Sequence, residues 1–106
     1  MSALARIEVM RDGGAPHIVL EGEIDLAARG ALEDAFGVAL PGSCLVVDFT
    51  NVTFIDSTGI GAIARAVRAN TAVSVVNPQP SVRRTLEISG IDRHVRIVES
   101  GDTEKT

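Results

Sequence analysis

Hydrophobic and polar positions fall into two periods along this chain, and the switches between them mark out its elements. Ala5, Ile7 and Val9 alternate with Arg6 and Glu8, which predicts a strand over 4–10. Arg11-Asp12-Gly13-Gly14 is turn chemistry, and His17 to Leu20 predicts a second strand, so residues 4–21 read as a hairpin. Gly22-Glu23-Ile24-Asp25 ends it, with Asp25 placed to cap a helix. Leu32, Ala35, Phe36, Ala39 and Leu40 then recur at helical spacing, predicting a helix over 26–40 that Pro41-Gly42 stops. The unbroken apolar run from Cys44 to Val47 predicts a central strand buried on both faces, with Cys44 as small apolar filler. Ile60, Ile63, Ala64 and Val67 follow the i, i+3, i+4, i+7 rule of a second helix that Asn70 ends. Ala72 to Val76 is a β-branched strand, and Asn77-Pro78-Gln79-Pro80 opens a third helix, with a proline in its first turn, that carries Val82, Leu86 and Ser89 on one face and stops at Gly90. Val95 to Val98 predicts a last strand, and 100–106 a polar, frayed tail.

The predicted order is β-β-α-β-α-β-α-β. It implies an α/β fold, a mixed sheet in which an N-terminal β-hairpin is followed by right-handed βα crossovers, as one domain over 1–106 with its core at about 4–99. Sites in such sheets gather beyond the carboxyl ends of the parallel strands. Asp25 follows the second strand and Asp56 and Ser57 follow the third, so all three are expected on one rim.

The stretch Asp56-Ser57-Thr58-Gly59-Ile60-Gly61 opens the second helix with three residues whose oxygens accept bonds from orphan backbone N–H groups. Gly59 and Gly61 each weaken a helix by about 1 kcal/mol relative to alanine. Two readings stand side by side. In one, Ser57 is a cap and the glycines allow close packing; in the other, stability is given up to keep a helix end bare, where a hydroxyl can carry a phosphate.

Composition narrows the classes. The chain has 106 residues, 45% hydrophobic and 23% charged, as in ordinary globular domains. Three Phe and no Trp or Tyr leave the core to aliphatic side chains. There is no membrane-length apolar run and no signal-peptide pattern, so a cytoplasmic protein without a membrane partner is expected. A net charge of −4 argues against a nucleic-acid surface. The charge is also divided: residues 1–64 hold three Arg against nine acids, while 65–96 hold six Arg against Glu87 and Asp92. That division suits a protein partner with a patterned surface, or a merely mixed solvated one. Metal-ligand spacing is absent and no cofactor is expected. Phospho-aspartate chemistry around Asp25, Asp48 and Asp56 lacks a basic partner, because the one lysine is Lys105 in the tail. Nucleophilic catalysis by Ser57 lacks a base that the sequence can place beside it, His17 and His94 included, so no enzyme is expected.

Three segments in order carry a family likeness: Gly22-Glu23-Ile24-Asp25, Phe54-Ile55-Asp56-Ser57-Thr58-Gly59-Ile60-Gly61 and Ser81-Val82-Arg83-Arg84-Thr85-Leu86-Glu87-Ile88-Ser89-Gly90-Ile91. Together they resemble the STAS domain, and more narrowly the free-standing anti-sigma-factor antagonists of bacteria. The resemblance implies a partner-switching role in transcription regulation. The unphosphorylated protein would bind an anti-sigma factor that is also a serine kinase, freeing the sigma factor. Phosphorylation of the serine after the motif aspartate, here Ser57 with Thr58 as its rival, would end that binding, and a serine phosphatase would restore it. The same match puts Asp25 on the kinase-facing surface, with Asp56, Gly59 and Gly61 around the acceptor. Ala27-Ala28-Arg29-Gly30 departs from the family pattern. Arg65 and Arg68, one turn apart on the helix, read equally as partner contacts or as a solvated face. The alternative implied by the resemblance is a non-switching STAS subunit of a larger assembly, such as a lipid-transport or stress-sensing complex.

Overall fold

The computed structural model describes residues 5–11, 14–39, 42–69 and 71–99. Leu4, the Asp12-Gly13 turn, the Leu40-Pro41 stop, Asn70 and the tail from Ser100 lie outside them. The elements come in the expected order: β1 (Arg6–Met10), β2 (His17–Ile24), α1 (Arg29–Phe36), β3 (Cys44–Ile55), α2 (Ser57–Arg68), β4 (Ala72–Val76), α3 (Pro80–Ser89) and β5 (Arg96–Val98). Two short 3₁₀ turns, Leu26–Ala28 and Ile91–Arg93, complete them.

The five strands lie side by side in sequence order, β1 antiparallel to β2 and the rest parallel. This order decides where the helices go. Each parallel crossover steps the same way across the sheet, and crossovers share one hand, so all three helices cover the same face. Ile18, Val47 and Val75 sit opposite one another along that face and are buried, with Phe36 of α1, Ile63 of α2 and Leu86 of α3 in the same core. The other face carries His17, Val19, Val46, Asp48, Ser74, Val76, Arg96 and Val98, none of them buried.

The central strand is therefore covered on one face and not on both. Leu45 and Val47 are fully buried, but Val46 is half-buried and Cys44 is exposed. Cys44 is not core filler, because it begins the strand on the uncovered face. Val9, expected on the core side, does face Ile18, yet it is 38% exposed because β1 is the sheet edge. The second strand runs to Ile24 and does not end at Leu20.

Two register shifts between β2 and β3, at Val19/Glu21 and at Gly22/Glu23, each place an extra residue in β3. Buried positions in β3 then change from every second residue to every third: Phe49, Val52, Ile55. Gly22 has φ of 84° at this irregularity, a backbone state that suits glycine. The shifts leave Ile24 and Ile55 paired, so β2 and β3 finish side by side.

Candidate functional site

Each of these two strands ends in an aspartate that caps the helical turn after it. Asp25 and Asp56 have nearly the same extended backbone, with φ of −126° and −113°. Asp25 Oδ1 accepts from Ala27 N at 3.1 Å, and Asp56 Oδ1 accepts from Thr58 N at 2.8 Å. Asp56 N in turn donates to Ile24 O at 3.2 Å, tying one turn to the other. The shared rim expected from the topology is present, and it brings Asp25, Asp56, Ser57 and Thr58 together.

The helix expected over 26–40 is divided: Leu26–Ala28 is a 3₁₀ turn capped by Asp25, and α1 follows at Arg29. The cap of α2 is Asp56, while Ser57 is the first helical residue and is exposed. Ser57 is therefore not the cap, since the neighbouring carboxylate already accepts the orphan N–H. Ser57 keeps its hydroxyl on the surface of a positively polarised helix end.

The two glycines have different reasons. A Cβ on Gly59 would stand 2.6 Å from Ile55 Cγ1 and 3.0 Å from Ile24 Cγ2, so this glycine lets α2 close onto the ends of both strands. A Cβ on Gly61 would meet nothing within 4 Å. Gly61 instead forms part of a cleft of about 240 Å³ between α1 and α2, which Ser57 and Arg65 of α2 and Arg29 and Glu33 of α1 also line.

Arg65 is exposed, as expected, but it is engaged within the chain: its guanidinium donates to Glu33 at 2.5 Å. Arg29 reaches the same carboxylate oxygen at 3.5 Å. The Arg65 hydrogen bond is the largest influence on the Glu33 carboxyl, and together with the charges of Arg65 and Arg29 it outweighs the upward push of desolvation and holds the group below its ordinary value. Arg68 is exposed a turn further on and makes no ion pair among the described residues. Arg83, further from the rim, pairs with Glu99 and with Glu87.

Arg29, Glu33, Leu26 and Phe54 also stand at or near this site and are not among the residues expected there. Leu26 is 67% exposed directly after Asp25, and Phe54 is 48% exposed two residues before Asp56. Both stand close in sequence to the aspartates of the rim. A signal for Phe54 existed in the three-residue spacing of Phe49, Val52 and Ile55, which turns Phe54 outward. Arg29 and Glu33, four apart, also stood in the sequence as an ion pair, but the third member on another helix did not.

His17 starts β2 and His94 precedes β5, both at the amino ends of their strands and so across the sheet from Ser57. Asp48, on the open face, accepts from the backbone and the hydroxyl of Thr50. Among the described residues no cluster of His, Cys, Asp or Glu is placed to hold a metal ion, and no helix is long and apolar enough to cross a membrane.

A family model described as "Mlab, STAS domain" matches residues 7–99. The chain is 32% identical to a STAS-domain containing protein of Pseudomonas aeruginosa over 91 residues, covering 81% of this chain and 90% of that one. It is 30% identical to the anti-sigma-F factor antagonist RsfB of Mycobacterium tuberculosis over 96 residues, covering 86% and 79%. Among solved structures it is similar to an anti-sigma factor antagonist from Mycobacterium paratuberculosis, with a TM-score of 0.79, 28% identity and coverage of 92% and 90%.

Proposed function

The chain belongs to the STAS domain family, and from that premise we propose that it is an anti-sigma-factor antagonist whose binding is switched at Ser57. The observation that carries this reading is the exposed Ser57 hydroxyl at the first position of α2, directly after the capping Asp56 and on one rim with Asp25. Similarity to two proteins named as anti-sigma-factor antagonists supports the role.

In this reading the unphosphorylated rim docks on an anti-sigma factor that is also a serine kinase. Leu26 and Phe54 give apolar anchors, while Asp25 and Asp56 set polar register. Docking frees the sigma factor. The kinase then transfers the γ-phosphoryl group of ATP. Ser57 Oγ forms a bond to phosphorus, the bond to the departing ADP breaks, and the hydroxyl proton passes to a base on the kinase. The new group adds about −1.5 to −2 charge. Keeping it in the interface would strip it of water, costing several kcal/mol unless a cation of the partner meets it. The complex separates, and a serine phosphatase restores the hydroxyl by hydrolysis.

Incubating the protein with ATP and a cognate anti-sigma kinase, then measuring intact mass and mapping the phosphopeptide, tests the assignment. One phosphate on Ser57 is expected. Its appearance on Thr58 would move the switch by one residue, and an unmodified chain would remove it. A second reading, a STAS subunit of a larger assembly that does not switch, has the uncovered face of the sheet in its favour, where no described residue is buried. Such a subunit would bind its partner equally with and without phosphate.

A further inference from the structure

We propose that Arg29 and Arg65 form a clamp within this chain for the phosphate on Ser57, displacing Glu33, the carboxylate they hold in the unphosphorylated protein. The inference rests on the reading of Ser57 as the acceptor and adds to it an intramolecular receiver.

Ser57, Gly61 and Arg65 fall at i, i+4 and i+8 of α2, on one stripe of its surface. Helical side chains lean back toward the N-terminus, so Arg65 extends over the turn that Gly61 occupies, toward Ser57. Gly61 has no side chain there, and the space a Cβ would take is empty to 4 Å. The path between hydroxyl and guanidinium is therefore open. Arg29 and Glu33 of α1 line the same cleft of about 240 Å³. A water occupies about 30 Å³ of liquid, so a phosphate fits with several waters.

At present one carboxylate serves two guanidiniums, at 2.5 Å from Arg65 and 3.5 Å from Arg29. A phosphate offers three acceptor oxygens and nearly twice the charge, and arginine forks match that geometry. All three side chains are about half-exposed, which leaves them free to turn. The charged groups around the phosphate would be Arg29 and Arg65 in favour, with Glu33, the capping Asp56 and, across the rim, Asp25 opposed. Clamping gives the modification a destination inside the molecule and releases Glu33 as a free acid beside the rim.

The test uses full-length protein with phosphoserine incorporated directly at position 57, so that no kinase or partner is required, and follows the phosphate by ³¹P NMR through its second ionisation. The reference is the same chain unfolded in urea, where an unclamped phosphate titrates near 6. In the folded protein the pKa should lie lower by about 0.5 or more, a discounted form of the shift a buried arginine produces. R29Q and R65Q should each raise it toward the unfolded value, and E33Q should lower it further by releasing both arginines. Circular dichroism on each variant checks that the fold persists, and E33Q, which removes no arginine, reads the competition independently. If R29Q and R65Q titrate as the parent does, the lowering belongs to the helix end alone and the clamp is overturned. A failed partner titration would instead sink the switch and leave this result standing.

Discussion

At the scale of single residues, the opening of α2 shows how one amino-acid type serves two ends. Gly59→Ala adds the methyl group that Ile55 and Ile24 exclude, and overpacking of this kind costs roughly 1–3 kcal/mol, more than the helix gains. Gly61→Ala meets open space and should stabilise the protein by up to about 1 kcal/mol. Denaturant titration of the two variants separates them by sign. A second pair divides cap from acceptor. Asp56→Ala removes a capping carboxylate and should cost about 1 kcal/mol. Ser57→Ala removes no capping bond and should stay within about 0.5 kcal/mol of the parent in thermal unfolding. The sequence shows the types in Asp56-Ser57-Thr58 but not the division of labour among them. All three can cap, and only the extended backbone of Asp56 decides which one does.

At the scale of elements, helical and strand periods place every segment in order, because each buries one face and the period records it. What they do not record is the partner of that face. The apolar run Cys44–Val47 reads as doubly buried, whereas crossovers stepping one way across the sheet leave its second side open. Local pattern carries only the three-residue spacing of Phe49, Val52 and Ile55; the bulges of β3 behind it arise from pairing with a strand some thirty residues earlier. The bridge from α1 to α2 is of the same non-local kind. Folded Glu33 ionises below its ordinary value of 4.5, so between the two values the unfolded chain holds more protons on it. Its contribution to stability is complete above 4.5 and fades as pH falls through the folded value. Glu33→Gln should therefore flatten the loss of thermal stability on acidification while changing little at neutral pH, where an exposed pair adds little. Melting curves from about pH 3 to 7 on both proteins check this. Parallel acid limbs would show that the bridge has no energetic part.

At the scale of the whole molecule, a one-sided sheet gathers its polar rim at the carboxyl ends of β2 and β3. It separates that rim from the histidines and from Cys44, which lie at the amino ends of strands. Charge is divided in the same chain, yet the divided halves meet in the fold: Arg65, from the basic segment, neutralises Glu33 of the acidic one. In the proposed switch, this rim is what a partner reads. Asp25→Ala should lose about 1 kcal/mol of stability with its cap and, measured well below its melting temperature, lose affinity as well. Retained affinity with a lowered melting point would make Asp25 purely structural. The central claim is that phosphate on Ser57 is incompatible with the bound state. Its most direct measurement is the dissociation constant of the cognate anti-sigma kinase for the unphosphorylated and phosphorylated proteins, with Ser57→Ala as a form that cannot be modified there. Ser57→Ala should bind as the unphosphorylated protein does. The phosphorylated protein should bind about a hundredfold or more weakly, the equivalent of roughly 3 kcal/mol of desolvation and repulsion. Equal affinity for the phosphorylated and unphosphorylated proteins would contradict the switch.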